Sequence, residues 1–376
     1  MEYYVIFIYW RIAMFFRKKK AEEFEVEIVE LIDDISEETE DICISEFEDY
    51  SDIDRELRAE EYEMAESFFT SNDGSTDVAY YVFSPKHTRP KAIIQLCHDA
   101  CDYLLRYEHF ALAACRRGYI FCGNDHLGHG YTAESEGALG FTAADGGAAF
   151  MVKDAHKLTR IMKNKHPELP VILVGQGMGA LIAKLYAEHF ARDIEACVLM
   201  GDADPDFPAY VGKKLSKIAI VTEGEWSRSE QLHKFAFGKF GKKFKKESAP
   251  YPYLTRDEGV REDYADDNLC SFKLTARAFY DIFDMLAAVS KPEWAEKIDK
   301  ELPILIASGE CDPVGNYGKG VKKVYDRLKN AGVEDLTLRL YTEGRHELLF
   351  ETNKELVIKN TIDWIEDRLE EKINEA

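Results

Sequence analysis

The chain has no surplus of basic charge. Its 48 Lys and Arg face 70 Asp and Glu, a formal net of −22. No basic face emerges outside short lysine clusters, so nucleic acid is not an expected partner. An ordered cysteine pattern is also missing. The eight cysteines, at 43, 97, 101, 115, 122, 197, 270 and 311, suit neither a disulfide framework nor a paired C-x-x-C zinc site. Several, such as Cys97, Cys122 and Cys197, fall inside apolar runs. Buried free thiols in a reducing, cytoplasmic setting are therefore expected. The pairs Cys97/Cys101 and His126/His129 complete no ligand set, and neither a metal nor another cofactor is expected. There is no internal repeat.

A membrane-length apolar run is absent too. Tyr3 to Phe16 would span about 21 Å as a helix, short of a hydrocarbon core of roughly 30 Å. Arg11 interrupts it, at about 2.5–3.5 kcal/mol for an arginine at mid-membrane. No small-residue cleavage site follows and the charges come after the apolar run, which argues against a secretory signal. Residues 1–20 therefore leave three readings open: peripheral contact with a membrane interface, a helix packed on the body, or a misplaced start. If they did span, Arg17 to Lys20 would hold the rest on the cytoplasmic side.

What is present is distributed unevenly. Residues 21–66 carry 21 Asp and Glu against Arg55 and Arg58, a net of −19, which leaves the remaining chain near neutral at about −3. Ile28, Leu31, Ile32 and Ile35 have helical spacing. Otherwise this stretch reads as a solvated linker, with partner binding as the alternative. At 376 residues and 46% apolar, the chain can bury one large α/β domain with an insertion.

From Ser67 onward the pattern is strand–helix alternation. Phe68 to Thr70 and Val78 to Phe83 flank Asp73-Gly74, a hairpin signal. Ala92 to Cys97, Tyr119 to Cys122, Val171 to Val174 and Ala196 to Met200 read as short buried strands. Helical stretches around Phe110 to Cys115 and over Met151 to Lys165 intervene. The alternation lapses over residues 202–301, where charged helical stretches rich in aromatics dominate. It returns with Leu302 to Ala307, a helix over Lys319 to Asn330, the strand Leu336 to Tyr341 and a closing helix to about Lys372. The expected organisation is a mostly parallel sheet with helices on both faces, formed by 67–201 and 302–376, with 202–301 inserted as a cap.

Val171-Ile-Leu-Val-Gly-Gln-Gly-Met-Gly179, opening into Ala180 to His189, has the strand–turn–helix context of a nucleophile elbow, G-x-S-x-G. The nucleophile position is Gly177. Asp312 follows the strand Leu302 to Ala307, and His346 follows Leu336 to Tyr341. That is the chain order of nucleophile, acid and histidine on the ligand-binding edge of an open α/β sheet.

Together with Asn124-Asp-His-Leu-Gly-His-Gly130, Ser308 to Gly315 and Gly344 to Glu347, these pieces resemble the monoacylglycerol lipase, lysophospholipase-like and serine aminopeptidase group of the α/β-hydrolase fold. The resemblance covers roughly four-fifths of the sequence. It implies acyl-ester hydrolysis under a helical cap without metal or organic cofactor. It casts Asp312 as acid, His346 as base, and the backbone N–H groups of Ala100 and Met178 as oxyanion donors. Four positions depart from it. Gly177 stands where the serine is expected, Asp99 where a glycine lets backbone approach substrate, Gln176 where histidine is common, and Leu127 where arginine is usual.

Loss of a nucleophile costs about 10⁶-fold, or roughly 8–9 kcal/mol of barrier. A carboxylate about 5 Å from a developing oxyanion adds roughly 3 kcal/mol at an effective dielectric of 20. Gly177 and Asp99 read as two independent defects. The expected function is a catalytically inactive hydrolase homologue that keeps an acyl-ester or lipid-type pocket for binding. One alternative is a weak carboxylic-ester hydrolase using water or a substitute nucleophile such as Cys101 or Cys311. The other is a non-enzymatic interaction protein acting through its acidic N-terminal segment.

Overall fold

The computed structural model describes residues 61–375. The apolar and basic segment 1–20, and nearly all of the acidic segment 21–66, lie outside the described residues. The end of that acidic segment is structured. Strand β1 spans Tyr62–Thr70 and pairs antiparallel with β2, Asp77–Pro85. The first strand thus begins five residues before the sequence boundary at Ser67, because the alternating residues Tyr62 and Met64 pack on the core while Glu63 and Ala65 face outward. Between the two strands Asp73 makes the turn: its carboxylate accepts from the backbone N–H groups of Ser75 and Thr76.

Six further strands complete the sheet: β3 Ala92–Cys97, β4 Tyr119–Asn124, β5 Val171–Gln176, β6 Ala196–Met200, β7 Ile304–Gly309 and β8 Leu336–Tyr341. The order is β1-β2-β4-β3-β5-β6-β7-β8, with β2 antiparallel to β4 and every later pair parallel. Strands β3 to β7 are continuous apolar runs because they are covered on both faces. Along β3, Ile93 and Cys97 point into one cluster, and Ala92, Ile94 and Leu96 into the other. The first cluster is covered by helices α2 (Gly147–Lys165) and α3 (Met178–Phe190). The second is covered by α1 (Glu108–Arg116) and by the C-terminal helix Lys354–Glu375.

The chain leaves β3 for β4 on one side and returns to β5 on the other, so the crevice between the C-terminal ends of β3 and β5 is a topological switch point. The register sets Cys97 directly beside Gly175. The loops bearing Asp99 and Gly177 are therefore neighbours. Gly179 makes this closeness achievable, because a Cβ there would collide with the Cys97 carbonyl.

Between β6 and β7 lie α4 (Ala209–Glu223), α5 (Glu230–Phe237), α6 (Glu258–Asp266), α7 (Ala276–Val289) and the short α8 (Pro292–Glu296). Helix α7 is anchored at its start by the Thr275 side chain, which accepts from the Ala278 N–H. It packs on α4, where Gly212 faces the Phe283 ring, and also on α2 and α3. These inserted helices are thereby fixed to α3, which follows the Gly177 turn, and to α2. Helix α9, Lys319–Asn330, leads from β7 to β8. Among the described residues no helix is long and apolar enough to cross a membrane.

Candidate functional site

The sharp turn after β5 puts Gly177 at φ 56° and ψ −114°, a left-handed conformation that glycine adopts without strain. Its N–H donates to the Met200 carbonyl at 2.9 Å, and its carbonyl accepts from Ala180 at 3.0 Å, so the turn is tied on both sides. No side chain rises from it. The space above is filled from the next loop: a Cβ built on Gly177 would overlap the Asp99 carboxyl group.

Asp99 follows β3 and is 8% exposed. Its Oδ1 accepts from the Ala100 N–H and from the Met178 N–H, both at 2.6 Å. These are the two donors that the resemblance assigns to an oxyanion. Its Oδ2 lies 2.9 Å from His346 Nε2, and His346 Nδ1 lies 3.1 Å from Asp312 Oδ2. Asp312 Oδ1 accepts from the Val314 N–H at 2.8 Å, which orients the carboxylate. Five of the positions singled out from sequence thus meet in one row: the Ala100 and Met178 N–H groups, Asp99, His346 and Asp312.

This corrects the reading of two independent defects. Asp99 does not stand beside the oxyanion position as a repelling charge; its own oxygen occupies it. Gly177 and Asp99 are coupled by volume, since the carboxylate fits only where position 177 has no Cβ. Gln176 has a structural task, donating from Nε2 to the His346 carbonyl at 3.0 Å. Leu127 is buried in the core beside the first cluster.

The electrostatics follow from the row. Burial raises the Asp99 pKa, but the hydrogen bond and charge of His346, then the two N–H groups, outweigh it and hold the carboxyl below its ordinary value of 3.8. Burial also disfavours a charged His346. The Asp312 carboxylate, with hydrogen bonds to both carboxylates, overrides this and lifts its pKa well above 6.5. Both ring nitrogens face carboxylate oxygens, an arrangement that favours an imidazolium donating from both. A proton-accepting nitrogen, which a general base needs, is missing in this state.

Residues that sequence alone did not single out hold the row in place. Arg106 lies 2.9 Å from Asp102 and makes two 3.2 Å bonds to Glu347, tying the β3 loop to the β8 loop. The cap contributes main-chain contacts: His346 N–H donates to Tyr253 O at 3.2 Å, and Glu347 N–H to Leu254 O at 2.7 Å. The signal for Arg106 was available in the charges flanking His98 and His346; that for the cap contacts was not, because backbone pairing across an insertion leaves no residue pattern.

Next to the row, His98 donates from Nδ1 to Asp99 O at 2.7 Å, a tautomer fixed by the His126 N–H donating to its Nε2 at 3.0 Å. Burial pushes His126 down to about 3 and His129 down to about 4, so both are neutral. Among the described residues no group of three or more His, Cys, Asp or Glu is arranged to hold a metal ion.

The substitute nucleophiles fare differently. Cys101 lines the cavity, but burial and then the Asp99 and Asp102 carboxylates push its thiol up, and Sγ donates to Phe272 O at 3.3 Å. A thiolate is disfavoured there. Cys311 does not line the cavity. That cavity, of about 410 Å³, has Asp99, Gly177, Met178 and His346 in its floor. Its walls include Phe237, Phe240, Tyr251, Phe279 and Phe283 from the cap. A narrow polar floor under apolar walls suits a ligand with a long apolar chain and one small polar end.

Comparison with known proteins agrees with this fold. The sequence profile of the family described as serine aminopeptidase, S33, matches residues 88–353. The chain is 26% identical over 300 residues to a monoacylglycerol lipase of Mycolicibacterium smegmatis, covering 79% of this chain and 95% of that protein. It is 24% identical over 286 residues to the rat monoglyceride lipase, covering 74% and 84%. Among solved structures it is similar to a thermostable carboxyl esterase from Bacillus coagulans in complex with glycerol. The TM-score is 0.76 at 27% identity, over 81% of this chain and 99% of that one.

Proposed function

This chain belongs to the serine aminopeptidase, S33, family of the α/β-hydrolase fold, and from that premise we propose that it is a member without acyl-ester hydrolase activity that binds lipid-type ligands. The observation that carries the reading is the Asp99 carboxylate seated on the Ala100 and Met178 N–H groups. Ester hydrolysis needs a nucleophile, a free base and an oxyanion site at once. Position 177 offers no nucleophile, both ring nitrogens of His346 face carboxylates, and the two donors already hold an anion. The aromatic cavity walls above this floor support a chain-binding role. A bound carboxylate head would meet Asp99 at the floor, so an uncharged head, as in an acylglycerol, is favoured over a free fatty acid anion.

The test pairs turnover with binding. Short-chain nitrophenyl esters and a fluorophosphonate probe should give neither hydrolysis nor labelling, while a fluorescent fatty-chain probe binds and is displaced by a monoacylglycerol. Ester turnover by the unaltered protein that His346→Ala abolishes would overturn the inactive reading. Failure of any acyl-chain ligand to displace the probe would overturn the binding one.

A further inference from the structure

The same carboxylate that closes the site to acyl esters is arranged to attack saturated carbon. We propose that Asp99 is a carboxylate nucleophile toward alkyl electrophiles, that is, apolar chains ending in a carbon that bears a leaving group such as halide. This goes beyond the binding role and rests on it only for the seating of the chain in the cavity.

Three features of the floor carry the inference. Oδ1 is committed to two backbone N–H groups, whereas Oδ2 has His346 as its single partner and keeps a lone pair. Gly177 places no atom above the carboxylate, and Asp99 itself lines the apolar cavity. His346 and Asp312 stand next to Oδ2 in the order needed to activate a water. Attack by Asp99 on an acyl ester would create a tetrahedral oxyanion on the substrate and an anhydride, and the N–H pair that such an oxyanion requires is held by Oδ1. Displacement at a saturated carbon creates no oxyanion on the substrate, so the occupied N–H pair is no obstacle to it.

In the first step an Oδ2 lone pair forms a bond to the terminal carbon, and the carbon–halogen bond breaks with its electron pair leaving as halide. The product is a neutral alkyl ester of Asp99. Its carbonyl oxygen, Oδ1, already lies between the Ala100 and Met178 N–H groups. Esterification removes the Asp99 charge, one of the two that held His346 protonated, and the imidazole releases its Nε2 proton to solvent. Neutral His346 then takes a proton from a water as that water attacks Cγ. The charge that develops on Oδ1 is stabilised by the two N–H groups. Collapse expels the alkoxide, which takes the proton from His346, leaving the alcohol and an Asp99 carboxylic acid whose proton passes to His346, restoring the carboxylate–imidazolium pair. The sum is alkyl halide plus water giving alcohol, halide and a proton.

The full chain is incubated with bromooctane in ¹⁸O-labelled water, with bromide release and peptide mass as readouts. The expected results are bromide release and ¹⁸O incorporated into the Asp99 carboxylate over repeated turnovers. Asp99→Asn, which keeps the shape of the side chain, should abolish release. His346→Ala should trap one octyl group on the Asp99 peptide and slow later turnovers by at least about 10²-fold. The proposal is overturned if bromooctane displaces the fluorescent fatty-chain probe yet neither bromide nor an Asp99 adduct forms. If bromooctane and monoacylglycerol both fail to displace the probe, the pocket reading fails, and this inference with it.

Discussion

The two halves of the floor contrast sharply. The loops after β7 and β8 keep an Asp312–His346 pair at 3.1 Å in the arrangement the family resemblance implies. The loops after β3 and β5 depart from that resemblance in one shared volume: Gly177 has no side chain, and the Asp99 carboxyl fills the space that a Cβ there would take. The Asp99 carboxylate, 2.9 Å from His346, thereby acts on the Asp312–His346 half by charge. His346 faces a carboxylate on each ring nitrogen, and the two together lift its pKa well above 6.5. Retained geometry is therefore no guide to retained chemistry when the neighbouring charge has changed.

The comparison breaks most dramatically if both altered positions are reversed together. Asp99→Gly with Gly177→Ser should return a hydroxyl to the elbow, empty the N–H pair and free His346 from its second carboxylate. Loss of a serine nucleophile costs about 10⁶-fold in a well-behaved hydrolase, so a gain of at least about 10³-fold in nitrophenyl ester hydrolysis is expected. Gly177→Ser alone should give no such gain, since Asp99 still fills the space. Equal activity of the single and double variants would show that the two positions are not coupled.

The next effect is on stability. Asp99→Ala leaves a buried imidazolium with one partner and two N–H groups with none. Removing one member of a buried ion pair costs roughly 3–5 kcal/mol, to be read as a lowered urea midpoint at pH 6. A smaller cost, about 1–3 kcal/mol, is expected for Gly177→Ser alone, from overpacking against Asp99. If these two losses add when measured in the double variant, the volume argument fails; relief of one by the other sharpens it.

Legibility from sequence follows the same division. The retained half was readable, because Asp312 and His346 each come one loop after an apolar strand, and the elbow glycines mark a turn. Cap and sheet were separable where the strand alternation stops after β6 and resumes at β7. Residues 62–66 were not, because acids on an exposed edge strand look like the acidic linker before them. The role of Asp99 was hidden for a different reason. Sequence gives a side chain's identity and not its direction, and the partner contacts of Oδ1 and Oδ2 are set by the register of β3 against β5. The available signal was one of size: an aspartate where the resemblance expects glycine at one loop, and a glycine where it expects serine at the next.

The finest distinction between the halves lies in pH dependence. Asp99 has a depressed pKa, so its contribution to stability is full above the unfolded value near 3.8 and is lost as pH falls through the folded value. His346 has a raised pKa. Its contribution is full below the unfolded value near 6.5 and is lost as pH rises through the folded value. The pair is therefore most stabilising between about pH 4 and pH 6.5, with erosion on either side. Asp99→Asn removes the acid limb belonging to residue 99 and lowers the His346 pKa, since only Asp312 remains to hold the proton. Urea midpoints across pH 4–9, together with the His346 ring resonance, measure both changes. If the ring titrates near 6.5 in the unaltered protein, Asp99 does not control His346, and the contrast between the two halves reduces to the missing hydroxyl alone.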